Sequence, residues 1–92
     1  MSKREEIVEE FAGLLHEKGL DEVYGINTGI DTSKKYRYAT FCRARTLDGQ
    51  VNVYGPKFIQ VTWQTANRSL PHKGSKVFKS VEEAKTFIKE TF

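Results

Sequence analysis

Two dipeptides in the middle of the chain, Asp48-Gly49 and Gly55-Pro56, are typical of tight turns between strands. An Asp-Gly pair suits a two-residue hairpin turn because that turn needs positive φ at both central residues. Consecutive strands joined by tight turns pair side by side, so the pattern predicts an antiparallel meander. Extended segments are expected at residues 23–30, 35–46, 50–54, 57–65 and 76–79, with a turn at 31–34 and a loop at 66–75.

Both ends of the chain carry the signature of a capped amphipathic helix. A Ser followed three residues later by Glu occurs at Ser2 and at Ser80, and it fits a capping box that satisfies free backbone N–H groups. Gly19 predicts the end of the first helix, expected over residues 3–18, with Leu20 packing back onto it. Apolar residues follow both boxes at helical spacing: Ile7, Val8, Phe11, Leu14 and Leu15 in the first helix, and Val81, Ala84, Ile88 and Phe92 in the second, with Phe87 beside them.

These elements predict an α+β fold in the order α-β-β-β-β-(β)-α. We expect an antiparallel four- to five-stranded meander sheet that is packed on one face by the N-terminal and C-terminal helices, because each element must bury its apolar side. A length of 92 residues predicts one domain spanning residues 1–92. One cysteine allows no disulfide, and no leader or membrane-spanning apolar run is recognisable, so we expect a soluble, cytoplasmic protein.

Charge is distributed unevenly along the chain. Residues 23–79 contain ten Lys and Arg but two Asp and no Glu. Residues 1–22 contain three basic and seven acidic residues, and residues 80–92 contain two basic and three acidic ones. A basic segment of this size attracts phosphate or an acidic protein surface more readily than a mixed one does.

The Asp48-Gly49 turn also predicts which side chains share a face of the sheet. With these two residues in the turn, Arg45 pairs with Asn52 and Arg43 with Tyr54, and side chains alternate between the faces. The face predicted to be covered by the helices carries Tyr38, Thr40, Cys42, Ala44, Val51 and Val53, continued by Ile59, Val61 and Trp63. The opposite, solvated face carries Arg37, Phe41, Arg43, Arg45, Asn52 and Tyr54, continued by Phe58, Gln60, Thr62 and Gln64.

The predicted solvated face has the residue types that bind nucleic acids. Arginine matches phosphate and guanine with two parallel hydrogen bonds, and Asn or Gln can read adenine. Aromatic rings on an open sheet can stack on unpaired bases. Arg43 and Arg45 are expected to make base or phosphate contacts, and Phe41, Tyr54 and Phe58 to stack. The candidate nucleic-acid-binding residues are therefore Arg37, Phe41, Arg43, Arg45, Asn52, Tyr54, Lys57, Arg68, Lys73 and Lys76.

The segment Val77-Phe78-x-Ser80-x-x-Glu83-Ala84 resembles the last strand and helix of AP2-like DNA-binding domains, including the arm-binding domains of phage integrases. The resemblance covers residues 76–90. It implies a three-stranded sheet backed by a C-terminal helix, with the arginines of the sheet reading DNA. DNA is accordingly expected more than RNA.

Other interpretations of the same residues remain open. A basic sheet face can bind an acidic protein, as an inhibitor or adaptor would, and basic strands also prevent sheets from pairing edge to edge. Cys42 is expected to be an inert residue of the core. Two histidines and one cysteine without close spacing predict no metal site and no cysteine nucleophile. We therefore expect a non-enzymatic protein without a cofactor.

Overall fold

A computed structural model describes residues 3–21, 27–31, 36–43, 47–65 and 72–92. Within these ranges the chain forms α1 (Lys3–Glu17), β1 (Thr28–Asp31), β2 (Tyr36–Arg43), β3 (Leu47–Gly55), β4 (Phe58–Thr65), β5 (Lys73–Phe78) and α2 (Val81–Thr91). The strands lie in the sheet in chain order, and each pairs antiparallel with the next. The predicted α+β meander with a helix at each end is confirmed.

Helix α1 ends as its sequence predicts. Gly19 has a φ of 72°, a left-handed conformation that suits glycine because it has no Cβ. The N–H of Leu20 donates to Leu15 O at 2.9 Å, and the N–H of Gly19 donates to His16 O at 3.0 Å. These two bonds form a Schellman motif, and Leu20 is fully buried. The capping box expected at Ser2 lies outside the described residues.

Helix α2 begins at the predicted cap. The Ser80 side chain accepts a hydrogen bond from the backbone N–H of Glu83 at 3.1 Å, which satisfies one of the free donors of the first turn. Ala84 and Ile88 are fully buried, and Phe92 is nearly so. The apolar side of the helix therefore faces the sheet, as its spacing predicts.

Both helices pack on the same face of the sheet, which we call the inner face. Helix α1 lies against β2 and β3, and α2 lies against β4 and β5. One continuous core joins the buried side chains of both helices to those of the strands. An ion pair of 3.5 Å between Lys85 Nζ and Glu10 Oε1 links the two helices at the surface. The opposite face, which neither helix covers, is called the outer face below.

The predicted turn at Asp48-Gly49 is wrong. Both residues lie inside β3, where Asp48 pairs with Cys42 and Gly49 pairs with Phe41. Strands β2 and β3 pair as far as Arg43 and Leu47, and residues 44–46 between them lie outside the described residues. The predicted turn at Gly55-Pro56 is confirmed, since β3 ends at Gly55 and β4 begins at Phe58.

Aromatic packing, and not turn geometry, explains the glycine at position 49. A Cβ atom on Gly49 would lie 2.5 Å from Cζ of Phe41, whose ring occupies the space above the glycine. Along the same row of the sheet Gly49 pairs with Trp63, and Trp63 pairs with Gly74. A Cβ atom on Gly74 would clash with the Trp63 ring. Rings and glycines thus alternate across β2–β5 on the inner face.

The new register reverses the predicted faces of β2 but keeps those of β3 and β4. Ala39 and Phe41 are buried with Val51, Val53, Ile59 and Val61 in the core. Cys42, which was expected in the core, is partly exposed and lies on the outer face. A shift by an odd number of residues moves every side chain of a strand to the other face, so one misplaced turn accounts for all of these errors.

Two further boundaries differ from prediction. Strand β5 begins at Lys73, within the predicted 66–75 loop, of which residues 66–71 lie outside the described residues. Strand β1 covers Thr28–Asp31, so Asp31 belongs to a strand and not to the predicted turn. Half of the predicted strand at 23–30, residues 23–26, lies outside the described residues.

Replacing Gly49 by Ala should destabilise the protein, because the new methyl group meets the buried Phe41 ring and the backbone oxygen of Thr62. We expect the free energy of unfolding to fall by about 1–3 kcal/mol, as in other overpacked cores. Gly13 is the matched control, since it lies inside α1 with open space around its Cβ position. Gly13→Ala should raise stability by about 0.5–1 kcal/mol through helix propensity. Urea unfolding of both variants measures these changes, and a neutral Gly49→Ala would contradict the register of β2 on β3.

Candidate functional site

The outer face is the part of the described surface that most resembles a binding platform. Its side chains come from alternate residues of four adjacent strands, so they form rows that cross the sheet. It is mainly uncharged and combines phenol, phenyl, amide and hydroxyl groups. The residues are Tyr36, Tyr38, Thr40 and Cys42 from β2, Asp48, Gln50, Asn52 and Tyr54 from β3, Phe58, Gln60, Thr62 and Gln64 from β4, and Lys73, Ser75 and Val77 from β5.

Four rings, Tyr38, Tyr36, Tyr54 and Phe58, form an aromatic line across β2, β3 and β4. The ring centroids of Tyr36 and Tyr54 are 5.1 Å apart, and those of Tyr54 and Phe58 are 4.8 Å apart. Tyr36 is buried among its neighbours, Tyr38 and Tyr54 are partly exposed, and Phe58 is 48% exposed. The line therefore offers three accessible rings supported by one buried ring.

Local strand geometry brings this line together. The pairing of β3 with β4 shifts register between Val53 and Gly55, which makes Tyr54 the extra residue of a β-bulge. Bulges bend a strand and redirect its side chains. The Tyr54 ring reaches both the Tyr36 ring on one side and the Phe58 ring on the other. The bulge and the adjacent Gly55-Pro56 turn thus position the exposed end of the line.

Beside the aromatic line, four polar side chains form a hydrogen-bonded ladder. Gln50 Nε2 donates to Asn52 Oδ1 at 2.7 Å, and Asn52 Nδ2 donates to Gln60 Oε1 at 3.3 Å. Gln60 Nε2 then donates to Ser75 Oγ at 3.0 Å. Asn52 is 6% exposed, so these bonds satisfy an amide that would otherwise be buried at a cost. The ladder fixes the middle of the outer face in one arrangement.

Charged groups lie at the margins of this face. On strands β2 to β5, the charged residues of the outer face are Asp48 and Lys73, and both are at the end of the sheet far from the aromatic line. Lys57 lies in the turn that precedes Phe58, and Lys79 directly follows β5. All three lysines are exposed. The arrangement is a nearly neutral centre with ammonium groups around it.

The two described arginines of the predicted site lie on the helix side of the sheet. Arg37 forms an ion pair with Glu5 of α1, with 2.6 Å between Nη2 and Oε1. Arg43 Nη2 donates to the backbone oxygens of Lys18 at 3.2 Å and of Phe92 at 3.0 Å. The prediction that these residues face outward is wrong, because the true register places the odd residues of β2 on the inner face.

Arg43 lies where the C-terminal ends of both helices meet. Lys18 strengthens this junction, because its Nζ donates to Lys89 O in α2 at 2.9 Å. Carbonyl groups without helical partners give a helix C-terminus partial negative charge, which a cation stabilises. The Arg43 guanidinium therefore has a structural function that the sequence pattern did not reveal.

The remaining predicted residues lie in several different environments. Asn52 and Tyr54 lie on the outer face, as predicted, and Lys57 and Lys73 are exposed at its margin. Phe41 is 1% exposed and belongs to the core, so its predicted stacking function is wrong. Lys76 lies on the inner side, with its Nζ 5.3 Å from the Phe87 ring centroid. Arg45 and Arg68 lie outside the described residues.

Sequence reasoning missed Tyr36 and Tyr38, which contribute two of the four rings. Strand β2 contains aromatic residues at both parities, so hydrophobicity alone does not assign its faces. The hydroxyl of a tyrosine favours contact with water, whereas a phenylalanine ring has no polar group. Placing the tyrosines outward and Phe41 inward on that ground would have given the observed faces.

No known protein family, curated protein or solved structure matches this chain. The resemblance of residues 76–90 to AP2-like domains therefore stays a prediction. In the described part of the chain, no helix is long and apolar enough to cross a membrane. No group of three or more His, Cys, Asp or Glu residues in that part is arranged to hold a metal ion.

Arg43→Ala should lower stability, because it removes a cation from the junction of two helix ends and leaves carbonyl groups without that donor. We expect a loss of about 1–3 kcal/mol in the free energy of unfolding, measured by urea denaturation. Lys89→Ala is the control at the same junction, since its side chain is exposed, and it should change stability by less than about 0.5 kcal/mol. Unchanged stability of Arg43→Ala would contradict the structural function of this guanidinium.

Proposed function

We propose that this chain is a non-enzymatic binding protein that holds an unpaired segment of nucleic acid on its outer face. The observation that carries the proposal is the aromatic line, in which Tyr38, Tyr54 and Phe58 present accessible rings on an open sheet. Unpaired bases stack on such rings, and each stacked base contributes about 1–3 kcal/mol. A cytoplasmic location and a regulatory or accessory function belong to the same proposal.

An unpaired strand suits this surface better than a duplex does. Bases inside a duplex are stacked on one another, so an aromatic surface reaches them only at their edges. Binding to a duplex depends mainly on cations that contact its phosphates. Here Arg37 and Arg43 contact α1 and the helix ends instead. Lys57 and Lys79, which are exposed at the margin of the outer face, are available for the phosphates of a single strand.

A protein partner is the second candidate, and one observation favours it. Phe58 and Val77 lie on adjacent strands of the outer face, and each is 48% exposed. Exposed apolar side chains of this kind also occur in protein interfaces, where aromatic residues supply much of the binding energy. The flanking lysines would then favour an acidic partner.

Replacing two rings of the aromatic line tests the proposed function. Tyr54→Ala together with Phe58→Ala should weaken binding of a fluorescein-labelled single-stranded oligonucleotide at least 10-fold, since each lost stacking contact costs about 1–3 kcal/mol. Fluorescence anisotropy measures the affinity at about 50 and 200 mM salt. Ile30→Ala is the matched control, because Ile30 is 46% exposed but lies on the inner side of β1. It should leave the affinity unchanged.

The results separate the two candidate functions. Weaker binding in the double variant but not in Ile30→Ala supports the nucleic-acid function. No binding of single-stranded DNA or RNA by the unchanged protein at 50 mM salt contradicts it. In that case the same two variants, used in pull-downs with acidic proteins, test the second candidate. Equal loss of affinity in both variants would indicate that the outer face is not the binding surface.

The lysines at the margin should control how binding responds to salt. For single strands, the slope of log affinity against log salt concentration changes by about 0.7 for each phosphate contact that is lost. We expect Lys57→Ala and Lys79→Ala each to reduce the slope by up to this amount. Lys85→Ala is the control, because Lys85 lies on the helix side and pairs with Glu10 and Glu82. An unchanged slope in both variants would indicate that bound phosphates do not contact Lys57 or Lys79.

A further inference from the structure

The polar ladder limits what the outer face can recognise. Each amide in its middle uses one acceptor and one donor inside the protein: Asn52 accepts from Gln50 and donates to Gln60, and Gln60 in turn donates to Ser75. Reading the edge of a base requires an amide that presents both a free donor and a free acceptor to it. Asn52 is 6% exposed, so its remaining hydrogen-bonding capacity does not reach the surface.

Gln64 is the exposed amide of β4, but it lies far from the rings. It pairs with Asp48 and Lys73, at the opposite end of the strand from Phe58. Six residues separate Gln64 from Phe58, which corresponds to about 20 Å along an extended strand. An amide at that distance does not contact a base that is stacked on Tyr54 or Phe58. Next to the aromatic line, the outer face therefore offers mainly ring surfaces, beside amides whose orientation the ladder fixes.

The aromatic line also limits the length of strand that the face can hold. Its accessible rings come one each from β2, β3 and β4, and neighbouring strands are about 4.8 Å apart. A bound strand that follows the rings must cross the β-strands and does not run along them. Other open sheets with such rings stack about two or three bases.

We propose that the outer face binds a short run of about three unpaired bases through stacking and does not read their sequence. This inference rests on the proposed function and specifies its ligand. Every base has a flat aromatic surface, so stacking tolerates all sequences. The ladder engages one donor and one acceptor of each central amide and fixes its orientation, and Lys57 and Lys79 contact phosphates, which are the same in every sequence.

Two series of labelled single-stranded oligonucleotides test this inference by anisotropy. In the first series, T-only, C-only, A-only and mixed 12-mers should bind with affinities within about 10-fold of one another, as stacking alone allows. In the second, T-only oligonucleotides of two to twelve bases should gain affinity steeply up to about three or four bases. Beyond that length, affinity should rise only in proportion to the number of positions at which the short site fits on the oligonucleotide.

Variants distinguish stacking from base reading. Gln60→Met keeps the length of the side chain but breaks the ladder, and it should leave the relative affinities for the 12-mers within about twofold of those of the unchanged protein. Tyr54→Ala with Phe58→Ala should weaken binding of all the 12-mers by similar factors. Circular dichroism confirms that each variant is folded.

Three outcomes overturn the inference. A preference of more than 100-fold for one base, with tight binding retained, refutes sequence tolerance but leaves the proposed function standing. Affinity that continues to rise steeply beyond about eight bases refutes the assignment of the site to the aromatic line. Absence of binding to any oligonucleotide removes the proposed function, and this inference with it.

Discussion

The row of rings and glycines on the inner face determines how this chain is arranged. Phe41 lies over Gly49, and Trp63 lies over Gly74, so two large rings fit between a sheet and the helices above it. Phe92 of the C-terminal segment contacts both rings, at centroid distances of 5.4 and 5.8 Å. A side chain at either glycine would collide with a ring, so the observed register requires glycine at both positions. The choice of register then decides which residues reach the outer face.

The helices and the identity of most strands could be predicted because their signals are local. Ser80 and Gly19 act within a few residues of their own positions, and apolar spacing identifies the buried side of each helix. The face of β2 could not be predicted in the same way. Its register depends on contact between Phe41 and Gly49, which a turn signal at Asp48-Gly49 obscured. A glycine in a strand can serve a turn or provide space beneath a ring, and the local sequence does not distinguish the two.

The residues of the candidate site were predicted correctly only on the strands whose faces were assigned correctly. Asn52, Tyr54 and Phe58 were placed on the outer face because the apolar parity of β3 and β4 was assigned correctly. The residues contributed by β2 were exchanged as a set, so Tyr36 and Tyr38 replace Phe41 and the arginines. Correct parity in one strand therefore does not place the residues of the next strand, because the pairing between the two strands must also be known.

The basic middle of the sequence shows why charge along a chain differs from charge on a surface. Arg37 and Arg43 are counted with the lysines of that segment, but the first neutralises Glu5 and the second lies against two helix ends. Their charge therefore stabilises the contact between the sheet and the helices. In the described part of the chain, Lys57 and Lys79 supply exposed charge near the aromatic line, and lysines carry flexible ammonium groups that do not form the rigid paired contacts of arginine. A surface of this kind attracts a phosphate chain without fixing its position, so orientation must come from the rings. The aromatic line, and not the excess of basic residues, is therefore the feature on which the proposed nucleic-acid function depends.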